Sequence, residues 1–362
     1  MTENRSLHIG ILTNHINNID GVTKHIYNLI MGFQTYNPSV KFTVFCEGGD
    51  FISEFTKIGI EVITIKNFSH DNRTPVNFLL ASIQLVRWIQ KKKINIIHSH
   101  NHYHANLASF SKIFSGIKTV QTNHGILPEK GILPHFIGDK IIAINQHVVE
   151  YFRTHKQYHE SKFKFIRCGI PFTPSDSPKS TECIKFIAAG RLTIDKGFDL
   201  FIKAAAAIKS KYTINLEFLL AGDGPEKDNL LKLNDSLSNP VKYLGNLSNI
   251  EEIFSVTDAL INPSRSQTEG FPRTIVEAVL KNNFLITARF RGVEYDFDDS
   301  LDGYAFNVDD LDGLILCIER YLNNPEEVKS RLSNFHNKCK DIFSLELMIN
   351  KTFELYNELN RF

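Results

Sequence analysis

No apolar run in this chain approaches the roughly 20 residues that a membrane-spanning helix needs. Its start, Met1-Thr2-Glu3-Asn4-Arg5, runs directly into the strand-like Leu7–Leu12. That leaves no room for the roughly 7–15-residue apolar core of a signal peptide. The expectation is a cytoplasmic protein, one still able to visit a membrane surface. Cysteine is scarce: Cys46, Cys168, Cys183, Cys317 and Cys339 are an odd number without a C-x-x-C pair. They read as small buried side chains in a reducing compartment. An excess of one charge is also lacking. Lys and Arg total 41 against 40 Asp and Glu, a net of +1, too balanced for a whole-chain nucleic-acid binder. Neither G-x-G-x-x-G nor a Walker sequence occurs, so a dinucleotide or ATP phosphate loop is unsupported.

What is present is an ordinary globular composition, 42% hydrophobic and 22% charged over 362 residues. It excludes disorder, collagen and coiled coil, and its length implies two domains. The charge is unevenly spread. Residues 1–175 hold 19 Lys/Arg and 11 Asp/Glu, a net of +8, whereas residues 176–362 hold 22 and 29, a net of −7. The basic half is the candidate for meeting an anionic surface.

Short apolar strands alternate with amphipathic helices along both halves. In the first, strands are expected at Leu7–Leu12, Lys41–Cys46, Val62–Ile65, Ile94–His98, Lys118–Thr122 and Lys140–Asn145, with helices at Val22–Gln34 and Asn77–Lys93. Pro171, Pro174 and Pro178 among serines and threonines mark a linker at 173–182. The alternation restarts with strands Ile184–Ala188, Asn215–Ala221, Lys242–Leu244, Ala259–Asn262 and Leu285–Ala288. The pattern predicts an α/β chain of two doubly wound parallel sheets, domains 1–172 and 183–344, facing a central cleft. A last helix, 345–362, carries Leu345, Met348, Ile349, Tyr356 and Leu359 on one face and could pack back across the hinge.

Several strand ends carry chemistry. After Ala259–Asn262, a loop leads through Glu269, Gly270 and Phe271 to Pro272, expected at the first helical position. The N–H groups of Arg273 and Thr274 would then be open to an anion, and Gly270 would allow close backbone approach. Glu269 precedes this helix and Glu277 lies in its second turn; read alone, both are equally ordinary helix charges. After Ile184–Ala188, Gly190-Arg191 and Lys196-Gly197 place two cations five residues apart, suited to a diphosphate or to surface salt bridges. Gly222-Asp223-Gly224-Pro225 is a tight turn after a strand, and a lone G-x-G is a weak nucleotide signal. His98, His100, His102 and His104 alternate at a strand end, which invites a zinc reading, but no Cys or carboxylate completes a site. Cleft lining or a surface position is the better account. His124 follows Lys118–Thr122 and points at the same cleft.

In order and spacing, Gly190-Arg191…Lys196-Gly197, Gly222-Asp223-Gly224-Pro225, Tyr243-Leu244-Gly245 and Glu269-Gly270-Phe271…Glu277-Ala278 resemble the retaining glycosyltransferases of family 4, which have the GT-B fold. Gly21 and Thr122–Gly125 fit the same family's N-terminal domain, so the likeness covers nearly the whole chain. The resemblance implies an enzyme moving a sugar, with retention, from a nucleotide-diphosphate sugar, UDP-linked by expectation, to a glycan or lipid-linked acceptor in cell-surface polysaccharide or lipopolysaccharide synthesis. It implies that Arg191 and Lys196 hold the diphosphate, Glu269 the sugar hydroxyls and Glu277 the ribose. Gly21 would approach phosphate, and His124 would contact sugar near the reacting carbon. Gly270, Phe271, Arg273, Thr274, Gly222, Gly224, Tyr243 and Leu244 would line the donor site. No cofactor is implied, and no metal: Asp296, Asp298 and Asp299 lie beyond the matched motifs.

Two departures stand out. Asp20 precedes Gly21 where the family pairs glycines, and Ala288-Arg289-Phe290-Arg291-Gly292 replaces a glycine-rich loop. A nucleotide-sugar epimerase of the same fold, or a non-catalytic nucleotide-sugar-binding partner, are the competing readings. The cations Lys91-Lys92-Lys93, Lys112, Lys118, Lys130 and Lys140 make the inner membrane face a possible partner of the first domain.

Overall fold

The computed structural model describes residues 7–17, 20–126, 138–155, 159–172, 179, 182–247, 249–266 and 269–360. The chain divides into two compact units, Met1–Pro171 with Leu345–Phe362, and Phe172–Ser344. Of the expected linker, only Lys179 and Glu182 are among the described residues, and Lys130 lies outside them.

In the first unit, β1 (His8–Leu12), α1 (Gly21–Tyr36), β2 (Lys41–Cys46), α2 (Ile52–Lys57), β3 (Glu61–Thr64), α3 (Pro75–Lys92), β4 (Ile96–Ser99), α4 (His102–Ser115), β5 (Lys118–Asn123), β6 (Lys140–Ala143), α5 (Gln146–His155) and β7 (Phe163–Phe165) follow one another. All seven strands are parallel, in the order β3-β2-β1-β4-β5-β6-β7. The order reverses between β1 and β4, so their carboxyl ends flank a crevice. Buried on both faces, β1, β2 and β4 read as near-continuous apolar runs.

The second unit contains β8 (Ile184–Ala189), α6 (Phe198–Lys211), β9 (Leu216–Ala221), α7 (Lys227–Ser236), β10 (Lys242–Gly245), α8 (Ile250–Phe254), β11 (Ala259–Asn262), α9 (Arg273–Leu280), β12 (Phe284–Ala288), α10 (Arg291–Glu294), β13 (Tyr304–Phe306), α11 (Leu311–Asn323) and α12 (Pro325–Ile342). Its six parallel strands run β10-β9-β8-β11-β12-β13, with the reversal between β8 and β11. The three-residue β13 is too short for periodicity to reveal.

The last helix, α13 (Leu345–Asn360), belongs to the first unit. It buries Met348, Ile349, Tyr356 and Leu359 of the expected face, adds Leu355 to them, and leaves Leu345 half-buried. A glycine on α1 makes this possible: a Cβ at Gly32 would lie 2.6 Å from Ile349 Cγ1. Tyr356 stacks on Phe33, ring centres 5.7 Å apart. No helix among the described residues is long and apolar enough to cross a membrane.

Candidate active site

In the second unit the expected residues gather at the carboxyl ends of β8 and β11, where the strand order reverses. A close backbone approach brings them together. Gly197 has φ 67°, and a Cβ there would lie 2.1 Å from Pro263 O. Only glycine permits that conformation at that contact. Lys196, next to it, forms an ion pair with Glu269 across the two loops. Ser264 donates to the other Glu269 oxygen at 3.5 Å and to Asp195 O at 3.3 Å. Arg191 is exposed and forms no ion pair among the described residues. The site thus presents one open guanidinium beside a paired ammonium.

Arg265, absent from the sequence motifs, braces this loop. Its backbone N–H donates to Asp195 O at 2.7 Å, and its guanidinium reaches Asp199 at 2.7 and 3.0 Å and Ile194 O at 3.1 Å. Bonding to Asp199 holds its pKa above the ordinary arginine range. No local signal distinguishes such an arginine; its partner Asp199 is 66 residues away.

The α9 segment differs from expectation in one respect. Pro272 is the N-cap, with ψ 128°, and the helix starts at Arg273. Arg273 also does more than offer a backbone N–H, because its Nη2 donates to Glu277 Oε1 at 2.9 Å. This pair is largely buried, and Arg273 Nη1 is a buried donor without a partner among the described residues. Thr274 is half-buried on the same turn. The ring of Phe271 is buried and stacks on Phe343, centres 5.1 Å apart.

Gly222 and Gly224 are turn glycines with a packing reason. A Cβ on Gly222 would meet Gly190 O at 1.9 Å, and one on Gly224 would meet Leu192 O at 2.5 Å. Leu192 N–H donates to Asp223 O at 2.9 Å, which fixes the Arg191 loop to this turn. Tyr243 Oη donates to Gly222 O at 2.8 Å, and Leu244 is half-buried beside it. The acids of the following loop are engaged locally: Asp299 pairs with Arg289 and Asp302 with Lys338.

In the first unit, Gly21 opens α1, and Asp20 caps it, its Oδ1 accepting from Val22 N–H at 3.1 Å. That gives a local reason for Asp where a second glycine is usual. The alternation of histidines ends at Ser99, where β4 stops, and α4 begins at His102. His104 therefore turns away against Phe68. A different trio assembles. The facing nitrogens of His25, His100 and His124 lie within 4.8 Å of one another, and His100 Nδ1 is 3.3 Å from His124 Nε2. These three could hold a metal ion. His25 comes from α1 and carries no sequence signal of its own. Burial, then the neighbouring imidazoles, pushes His100 well below the usual histidine range; burial and His124 push His98 down to about 3.

Two family descriptions cover most of this chain: Glycosyltransferase Family 4 over residues 19–173 and Glycosyl transferases group 1 over residues 170–338. The chain belongs to this glycosyltransferase family. The fold agrees. A glycosyltransferase from Rickettsia africae superposes with a TM-score of 0.83 at 18% identity, covering 98% of this chain and 99% of that one. HepE from Anabaena, solved in complex with UDP, does so with a TM-score of 0.82 at 16% identity, covering 97% and 100%. The two Rossmann-like parallel sheets of this chain are those of the GT-B fold. Among curated relatives, the GalNAc-alpha-(1->4)-GalNAc-alpha-(1->3)-diNAcBac-PP-undecaprenol alpha-1,4-N-acetyl-D-galactosaminyltransferase of Campylobacter jejuni is 28% identical over 153 residues, 42% of each chain. The chain spans about half or less of the length of the curated relatives it matches.

Proposed function

We propose that this family member transfers a sugar, with retention of anomeric configuration and without a metal, from a nucleotide-diphosphate sugar to a glycan or lipid-linked acceptor in cell-surface polysaccharide synthesis. The observation that carries this reading is the Lys196–Glu269 ion pair between the loops that follow β8 and β11, with the exposed Arg191 on the first of these loops and the largely buried Arg273–Glu277 pair on α9 after the second. A diphosphate there is neutralised by Arg191 and by Lys196, which exchanges part of its bond to Glu269 for the phosphate. Glu269 is then released toward the sugar hydroxyls. Glu277, held by Arg273, offers its second oxygen to the ribose.

In the step itself the bond from the anomeric carbon to the diphosphate oxygen breaks, and its electron pair leaves with the phosphate. The acceptor hydroxyl oxygen bonds to the same carbon on the same face, and its proton passes to the departing phosphate oxygen. Preorganised cations on the leaving diphosphate supply stabilisation where charge develops. The UDP complex of HepE and the undecaprenol-linked acceptor in the Campylobacter relative's name favour a UDP-sugar and a lipid-linked acceptor. Such an enzyme would be cytoplasmic and peripheral to the membrane.

A panel of nucleotide sugars scored by thermal shift tests this, because a ligand bound only by the native state raises its melting temperature. A rise with UDP-sugars is expected; no rise with any nucleotide sugar would overturn the assignment. Product analysis separates transfer from epimerisation.

A further inference from the structure

The first unit carries an apolar surface that its fold leaves uncovered. On α3, Val76, Leu79, Leu80 and Ile83 follow the i, i+3, i+4, i+7 spacing of one helix face. On α4, which packs beside α3, Ile113 and Phe114 are also outside the core. These six side chains are between 42% and 68% exposed. Aromatic rings join the two groups: Phe78 lies 5.5 Å from Phe110, which lies 5.4 Å from Phe114. Exposed apolar side chains that are contiguous, rather than scattered singly, mark a surface meant to be covered.

Charge decides what covers it. The two helices, 18 and 14 residues long, contain no Asp or Glu. The exposed stripe of α3 continues through Arg87 to Lys91, each one turn further on, and Lys93 follows at the helix end. Lys91 Nζ sits 4.7 Å over the Trp88 ring. Two nearby acids are taken by the unit's own lysines, Glu61 by Lys92 at 2.6 Å and Asp139 by Lys112, whereas Asp71, four residues before α3, is exposed. An apolar face that ends in cations and a tryptophan, with no acid inside it, matches an anionic bilayer, where apolar side chains enter the acyl boundary and lysines stay among the headgroups.

We infer that the α3/α4 face docks this protein on an anionic lipid surface. The inference deepens the proposed reading and rests on it for the acceptor being lipid-linked. It also reassigns the basic contribution. Lys92 is engaged with Glu61, which leaves Arg87, Lys91 and Lys93 as the cations presented to lipid.

Trp88 is the chain's one tryptophan and reports directly on this face. The experiment mixes the full-length protein with vesicles of phosphatidylglycerol and phosphatidylcholine, or of phosphatidylcholine alone. Emission and co-sedimentation are followed, together with the melting shift given by UDP-sugar. A blue shift of Trp88 and pelleting with the anionic vesicles only, fading as salt is added, is the expected result. Leu79→Glu with Ile83→Glu should abolish pelleting. Lys91→Gln should weaken it about fivefold, the factor equivalent to about 1 kcal/mol per cation. All three positions are exposed, so the UDP-sugar shift should survive in both variants and show that they are folded. Wild type left in the supernatant at low salt, or pelleting that persists in the Leu79→Glu/Ile83→Glu variant, overturns the inference. So does wild-type self-association that this variant abolishes without vesicle binding, which would assign the face to a second copy. Vesicle binding without any UDP-sugar shift sinks the donor reading alone, and a shift without vesicle binding sinks the docking alone.

Discussion

Tyr356 Oη and His98 Nδ1 are 2.6 Å apart although 258 residues separate them in the chain. Both are buried, and the other ring nitrogen of His98 is 2.7 Å from Thr122 Oγ1. One imidazole therefore ties α13 to β4 and β5 in the sheet of the first unit. The carboxyl ends of those two strands lead to His100 and His124, so the last helix stabilises the sheet that positions the histidine trio.

Tyr356→Phe should cost about 1–3 kcal/mol of stability, the range for leaving one buried polar atom unpaired while the packing stays. Denaturant unfolding followed by circular dichroism measures it. A cost under about 0.5 kcal/mol, the size of an ordinary surface change, would show that the bond contributes little.

Stability should fall as the pH drops below about 6.5. Burial holds His98 and His104 neutral down to about 3 in the folded protein, whereas unfolded histidines take up protons below about 6.5. The unfolded state thus binds more protons between those values, and stability rises with pH across that window. Melting temperatures from pH 7 to pH 5 should decline in the wild type and decline less in His104→Gln. A flat profile in the wild type would contradict this.

Arg191→Ala and Lys196→Ala should each lower turnover by about 2–4 kcal/mol of transition-state stabilisation, a loss of about 30- to 900-fold. Saturating donor isolates the chemical step. Near-normal turnover in both variants would remove the diphosphate assignment.

Gly197→Ala should destabilise the second unit and separate Lys196 from Glu269. Its φ of 67° and the 2.1 Å approach of a Cβ to Pro263 O leave backbone movement as the relief. A loss above about 1 kcal/mol is expected, with a weaker UDP-sugar thermal shift. An unchanged shift would mean that the close approach does not position Lys196.

EDTA should leave transfer intact, and the product should keep the donor's anomeric configuration by NMR. Loss of activity in EDTA that Zn²⁺ restores would instead assign His25, His100 and His124 to a metal, whose Zn–N bonds of about 2.0–2.1 Å set the spacing they would need. An inverted product would exclude same-face transfer.

Local pattern determined the αβ alternation in two units and the placement of Arg191, Lys196, Glu269 and His124 after strands and of Glu277 inside a helix, but it left β7, β13, α11 and α12 unmarked. Apolar periodicity and turn residues act over a few positions, so a sequence shows them directly. Tertiary structure alone decided what meets across distance. It joined Lys196 to Glu269 over 73 residues, recruited Arg265 as a brace, and made Arg273 the partner of Glu277 rather than only a helix-start N–H. It also replaced an alternating run of histidines with a trio from three elements, because β4 ends at Ser99 and the chain turns into α4. Contacts of this kind depend on loop closure and on packing between layers, and neither leaves a local period in the chain.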